Sequence, residues 1–250
     1  MQEAKKEIMR LYGGKGWASF FTRIRLFITA PFDALDKHIP KQGFIVDLGC
    51  GYGIFANLLG LLSPKRKILG MDLDGFKMKH ADKGIPNVEF RVADITKTDI
   101  PPADCILLIH VLHHLASSED QEPLVRACLD RIKSGGKLII AEIDRKPWWK
   151  FVLTRLADHM LYPGQGIHYR FPESMAELLK KFPVKVETEV MHQNTPFSHV
   201  TYICAKPSML INNFAKVSKR SPARLLPSQK LVERVQSATK CGDYVWPFTA

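Results

Sequence analysis

The residues most able to do chemistry begin in "VDLGCGYG", where an acid closes an apolar run and glycines follow on alternate positions. Asp47 precedes Gly49, Cys50, Gly51 and Gly53. A loop that leaves a buried strand for a helix uses glycine to turn at positive φ and to admit a ligand where a Cβ would collide. A dinucleotide fold asks for G-x-G-x-x-G. Gly49 and Gly51 fit that pattern, but Ile54 stands in the place of its third glycine. No Gly-Lys-Ser/Thr follows, so a Walker loop fails as well. Asp47 would repel a pyrophosphate and suits a cation, such as an ammonium or a sulfonium.

Further acids recur downstream at a matching rhythm. "GMDLD" ends in a region where Asp72 can accept both hydroxyls of a ribose. "VADI" brings Asp94, which can accept from an adenine amino group. "ILLIHVLHHL" delivers Ile109 and His110 beside the loop, followed by His113 and His114. Each acid alone reads equally as a helix cap, and Asp74 is expected to be one. Three acids at three successive strand ends are harder to explain by capping.

Those positions require a framework to carry them. Strands are expected at 43–48, 67–72, 87–92, 103–109 and 136–142, with helices at 53–62, 74–82, 111–115 and 119–133. Near-continuous apolar strands alternating with helices predict a parallel α/β sheet of the Rossmann-like, doubly wound kind. Two further strands, 183–191 and 198–205, are joined too closely for a crossover, so the sheet should end in an antiparallel pair. The expected organisation is a helical cover over 1–42, a ligand-binding domain over 43–206 and a basic helical tail over 207–250. Helical patterns in the tail span 208–217 and 229–238.

With these elements in order, "VDLGCGYG", "GMDLD", "VADI", "ADCILLIHVLHHL" and "LDRIKSGGKLIIAEID" together resemble the class I S-adenosylmethionine-dependent methyltransferases, in their small-molecule branch. The resemblance covers residues 43 to about 145. It implies S-adenosylmethionine as cofactor, with Asp47 and the backbone of Gly49, Cys50, Gly51 and Gly53 at the methionine end. It further implies Asp72 on the ribose, Leu73 over the adenine, and Asp94 with the Ile95 amide at the adenine edge.

Methyl transfer from a sulfonium is an in-line displacement that needs a base only where the acceptor must lose a proton. The candidates are His110, His113, His114, Asp144, and then His168 and Tyr169 in "GQGIHYRF". The plain alternative for His113 and His114 is packing and capping. The chain lacks the Asn/Asp-Pro-Pro-aromatic motif of nucleic-acid amino methylation, the Pro-Cys nucleophile for cytosine and the paired-Glu loop of arginine methylation. A metal-dependent catechol type would need carboxylates after strand four, where histidines stand, so no metal is expected. Five scattered cysteines without C-x-x-C also argue against a structural zinc, and suggest reduced thiols in the cytoplasm.

Two aromatic, basic stretches, "WASFFTRIRLFITAPFDALD" (17–36) and "RKPWWKFVLTRLADHMLY" (145–162), stand where an acceptor cover would be built. Packed helices would explain them. A cover for a hydrophobic small-molecule acceptor (a lipid, quinone precursor, polyene or polyketide) at an anionic membrane surface would explain them too. There is neither an apolar leader nor an apolar run of spanning length. The formal charge of +11 invites a polyanion. From Pro207 onward seven Lys/Arg face two acids. An RNA methyltransferase or RNA-binding protein is therefore the rival reading, although the tail lacks interleaved aromatic and basic residues and nucleic acid is the weaker expectation.

Overall fold

The computed structural model describes residues 1–208, apart from 15, 27–30, 162–163, 165 and 194. Three helices come first: α1 (Gln2–Leu11), α2 (Trp17–Ile24) and the short α3 (Phe32–Leu35). Then β1 (Gly43–Leu48), α4 (Ile54–Leu62), β2 (Arg66–Asp72), α5 (Gly75–Ala81), β3 (Val88–Val92) and β4 (Ala103–Ile109) alternate. A 3-10 turn at Leu112–His114 leads to α6 (Gln121–Arg131) and β5 (Ile132–Ile143), then α7 (Trp148–Leu161) and α8 (Pro172–Lys180). The antiparallel β6 (Lys185–Val190) and β7 (His199–Ala205) end the described part.

The strands form one seven-stranded sheet in the order β3-β2-β1-β4-β5-β7-β6. The first five pair in parallel, and β7 runs antiparallel to both its neighbours. Strand side chains alternate between the two faces, so one apolar strand feeds two cores. Ile106 and Leu108 of β4 join a core with α6 and α8, while Cys105, Leu107 and Ile109 join the other with α1, α3 and α4. The N-terminal residues Ile8, Leu26, Phe32 and Leu35 are buried in that second core.

Several elements depart from the sequence expectation for local reasons. The 17–36 stretch breaks, with Pro31 as the N-cap of α3. Strand β5 starts earlier, at Ile132, and its register against β4 shifts between Ala103 and Cys105. The helix expected at 111–115 is a single 3-10 turn, and Glu142 accepts the leading amides of Val111 and Leu112 at 3.3 and 2.9 Å. Asp74 caps α5 as expected, accepting from the amides of Phe76 and Lys77. Phe27, Ile28 and the expected tail helices from 209 onward lie outside the described residues.

The foot of the sheet is tied by a fully buried arginine. Arg66 donates to the carbonyls of Pro40, Leu59 and Ile39 and forms a 2.6 Å ion pair with Asp36. These bonds fasten the segment before β1 to the start of β2. Removing the guanidinium leaves three carbonyls and the buried carboxylate of Asp36 without it, a change of the kind that costs about 3 kcal/mol or more. Arg66→Met should therefore lower the urea midpoint by that equivalent while leaving the far edge of the sheet, and ligand affinity there, intact.

Candidate functional site

The glycine loop lies at the C-terminal edge of β1, where open parallel sheets bind ligands. The amides of Gly49 and Cys50 both donate to the carbonyl of Met71, at 2.7 and 3.1 Å, which locks the loop to the end of β2. Gly51 and Gly53 hold φ of +57° and +67°. Their surroundings differ. A Cβ on Gly53 would fall 2.6 Å from the Phe90 ring, whereas a Cβ on Gly51 would meet nothing within 4 Å. Gly53 is thus a packing glycine, and Gly51 faces room for a ligand. A buried polar cluster holds the loop from beneath. Tyr12 Oη donates to the Tyr52 carbonyl at 2.5 Å and accepts from Asn57, whose amide also reaches the Ala81 carbonyl.

Two carboxylates share this edge. Asp72 accepts from the Gly51 amide at 2.8 Å and from the Asp74 amide at 2.9 Å. Asp47 is buried, and desolvation together with the charge of Asp72 lifts its pKa to about 7, against the opposing pull of Arg25. A permanent cation placed beside the pair offsets both costs. A phosphate would increase them.

A cavity of about 570 Å³ opens from the loop. Asp47, Gly49, Cys50, Gly51, Ile109, His110 and His114 line it, so seven of the expected site residues converge there. His110 has a positive φ of 58°, an uncommon conformation for a non-glycine residue, and its buried Nε2 has no hydrogen-bond partner among the described residues. Burial holds its pKa well below the ordinary value, and burial takes His114 down to about 3. His113, also on the cavity wall, behaves differently. Burial works against its charge, but Glu142 outweighs burial and raises the pKa, through a 2.5 Å contact to Nδ1. That contact leaves Nε2 as the nitrogen available to the cavity.

The other expected residues lie elsewhere. Asp72, Leu73, Asp94 and Ile95 follow β2 and β3 at the same sheet edge, outside the cavity lining. Leu73 is exposed, as a residue that covers a flat ring would be. Asp94 Oδ1 accepts from the amide and hydroxyl of Thr96 and Oδ2 pairs with Lys97, which hold its pKa near about 2. Its carboxylate thus serves its own turn at the sheet edge where the adenine contact is expected. His168 and Tyr169 line a second pocket with Phe151, Arg155 and His159, not the loop cavity. Tyr169 still acts on the first wall from behind: it stacks on His113 at 5.5 Å and donates to Asp158 at 2.7 Å.

Sequence reasoning missed Glu142 and Asp158. Glu142 carried a visible signal, an acid closing the apolar run "LIIAE", the same signature as Asp47. Asp158 is the only acid in the basic 145–162 stretch.

A methyltransferase-domain family model matches residues 46–140. The ubiquinone biosynthesis O-methyltransferase of Chromobacterium violaceum is 30% identical over 123 residues, 45% of this chain and 50% of that protein. The trans-aconitate 2-methyltransferase of Variovorax paradoxus is 30% identical over 108 residues, 43% of this chain and 41% of that one. The match spans half or less of the length of these curated relatives. Among solved structures, human N-acetylserotonin methyltransferase in complex with S-adenosylmethionine superposes with a TM-score of 0.59 at 17% identity, covering 82% of this chain and 57% of that chain. The magnesium protoporphyrin IX methyltransferase of Synechocystis, with bound S-adenosylhomocysteine, gives 0.58 at 15% identity, covering 82% and 94%. Fold, loop and the family model over residues 46–140 agree in supporting a class I S-adenosylmethionine-dependent methyltransferase domain in this chain. The open space over Gly51, flanked by Asp47 and Asp72, fits that cofactor.

Two outcomes follow from this geometry. Asp72→Ala should weaken S-adenosylmethionine binding by roughly 10- to 100-fold in calorimetry, since hydrogen bonds to a charged group are worth about 1.5–3 kcal/mol. Unchanged affinity would remove Asp72 from the site. Because a cationic ligand favours the ionised form of Asp47, binding below the raised pKa must release a proton. Affinity should therefore rise by up to tenfold per pH unit toward about 7 and then level. Asp47→Asn should flatten this profile.

Proposed function

We propose that this chain transfers the methyl of S-adenosylmethionine to oxygen or carbon of a small hydrophobic acceptor that reaches it from an anionic membrane surface. The observation that carries the reading is the inverted polarity of α7. Its inward face is polar: Lys150 donates to the carbonyls of His192 and Thr195, at 2.5 and 2.6 Å, Thr154 is buried, and Asp158 accepts from Tyr169. Its outward face is apolar, with Trp149, Val152, Leu156 and Met160 at helical spacing and all exposed. Trp17 and Phe20 of α2 are exposed as well. Met160, Leu161, Trp17 and Phe20 also line the loop cavity, so the apolar surface runs into the site. Arg23, Lys146 and Arg155 are exposed on these same segments. An apolar stripe edged by cations fits the interface of an anionic bilayer. No described helix is long and apolar enough to cross one.

The acceptor enters between the two aromatic segments and meets the wall of His113, His114 and Asp158, with Asp47 and the loop at the other end. The cofactor supplies an activated methyl. The protein positions the acceptor in line with it, excludes water with aromatic side chains, and removes charge or a proton at the imidazole wall.

The test uses cofactor labelled in the methyl group, the full chain and a fractionated cell extract. Label should enter the organic phase, and the chain should float with phosphatidylglycerol-containing vesicles but not with neutral ones. Val152→Glu with Leu156→Glu, neither of which lines the loop cavity, should abolish flotation while cofactor affinity stays unchanged. Label recovered in RNA would support the rival nucleic-acid reading, and flotation that ignores the double substitution would remove α7 as the contact.

A further inference from the structure

The cavity wall holds a group of side chains that methyl transfer to a passive acceptor does not explain. One ligand atom each of His113, His114 and Asp158 lies within 4.8 Å of the others. They arrive from different elements, the histidines from the turn after β4 and Asp158 from the third turn of α7. We infer that these three side chains hold one divalent first-row transition ion, with a remaining coordination position open to the acceptor cavity.

Three features of this wall match what such an ion needs. The first is donor type: two imidazoles and one carboxylate suit zinc, iron(II) or cobalt(II) better than magnesium or calcium, which prefer oxygen. The second is orientation. A histidine ligand is usually held by a hydrogen bond from its other ring nitrogen to a carboxylate. Glu142 does this for His113, and it is fixed in turn by the amides of Val111 and Leu112. Tyr169 does the equivalent for Asp158, donating to Oδ2 and leaving Oδ1 for the ion. The third is placement. His113, His114 and Asp158 all sit on the wall of the open cavity, where an ion can reach them. A tetrahedral site with metal–donor distances of about 2.0–2.1 Å sets its donors roughly 3.3–3.5 Å apart, so from separations of at most 4.8 Å the closure needed is about 1.5 Å or less, within reach of a rotamer change at the half-buried Asp158.

All three residues line the cavity that begins at Asp47 and Gly51, so an ion there would face the acceptor. The catalytic consequence rests on the proposed methyl transfer; the binding of the ion does not. Acting as a Lewis acid, the ion would draw charge from an acceptor hydroxyl, whose proton passes to water. The oxygen then bonds to the methyl carbon as the carbon–sulfur bond breaks, and the sulfonium leaves as a neutral thioether.

The experiment titrates chelator-stripped full-length chain with Co²⁺, read by its visible ligand-field absorption, and then displaces it with Zn²⁺. One Co²⁺ per chain should bind saturably. His114→Ala should abolish the signal, and Asp158→Asn and Glu142→Gln should each weaken binding by roughly 10- to 100-fold. Calorimetry with S-adenosylmethionine on every variant verifies that the fold and cofactor site are intact. Absence of saturable Co²⁺ binding in the native chain, or equal binding in His114→Ala, would overturn the site. In the labelling assay, stripped chain should lose transfer and recover it with Zn²⁺ or Co²⁺. Full transfer by stripped chain would overturn the Lewis-acid role while leaving the methyltransferase reading in place.

Discussion

Two carboxylates beside one loop set the terms for the rest of this molecule. The parallel strands β1 and β2 end side by side and deliver Asp47 and Asp72 to the same edge, where the Gly51 amide already binds one of them. Burying Asp47 near a second negative charge is unfavourable, and that cost lifts its pKa to about 7, so that the carboxyl is about half protonated at neutral pH. A carboxyl whose folded pKa exceeds its unfolded value favours the folded chain at low pH. That contribution is lost as pH rises from about 4 toward about 7. Stability is thus given up at this position, as at other sites that await a charged ligand. On the proposed placement, with its cation near Asp47 and its hydroxyls toward Asp72, a sulfonium nucleoside restores what is lost.

Most of this cofactor edge was legible in the sequence, because each signal was local. An apolar run sets the strand, the acid marks its end, and alternate glycines require the turn that follows. Asp94 shows that a local signal can carry two roles: the same rhythm of acid after strand produced a side chain that also caps its own turn through Thr96 and Lys97. The acceptor side was much less legible. Glu142 matters because the sheet places β5 beside β4, so that an acid distant in sequence reaches His113 and the amides that follow β4. Asp158 matters because α7 turns its polar face inward, the reverse of what an amphipathic pattern suggests. Nothing in the order of residues states which face of such a helix meets the protein.

The inversion of α7 ties the two halves of the site together. Its polar face anchors it to the loop before β7 through Lys150 and brings Asp158 to the histidine wall. Its apolar face is then left to solvent, at the mouth of the cavity. On the proposed reading, one helix supplies both a chemical group for the acceptor and the surface by which a hydrophobic acceptor arrives. Its position depends on β5 and β7, the same strands whose ends frame the imidazole wall.

The central claim is that the glycine loop and its acids select a cationic nucleoside over a phosphate-bearing one. The most direct measurement is calorimetric titration of the full chain with S-adenosylmethionine, NAD and ATP under identical conditions. The account predicts saturable binding of S-adenosylmethionine at one site per chain and no detectable binding of the other two. Binding of NAD or ATP at that site, or no binding of S-adenosylmethionine, would contradict it.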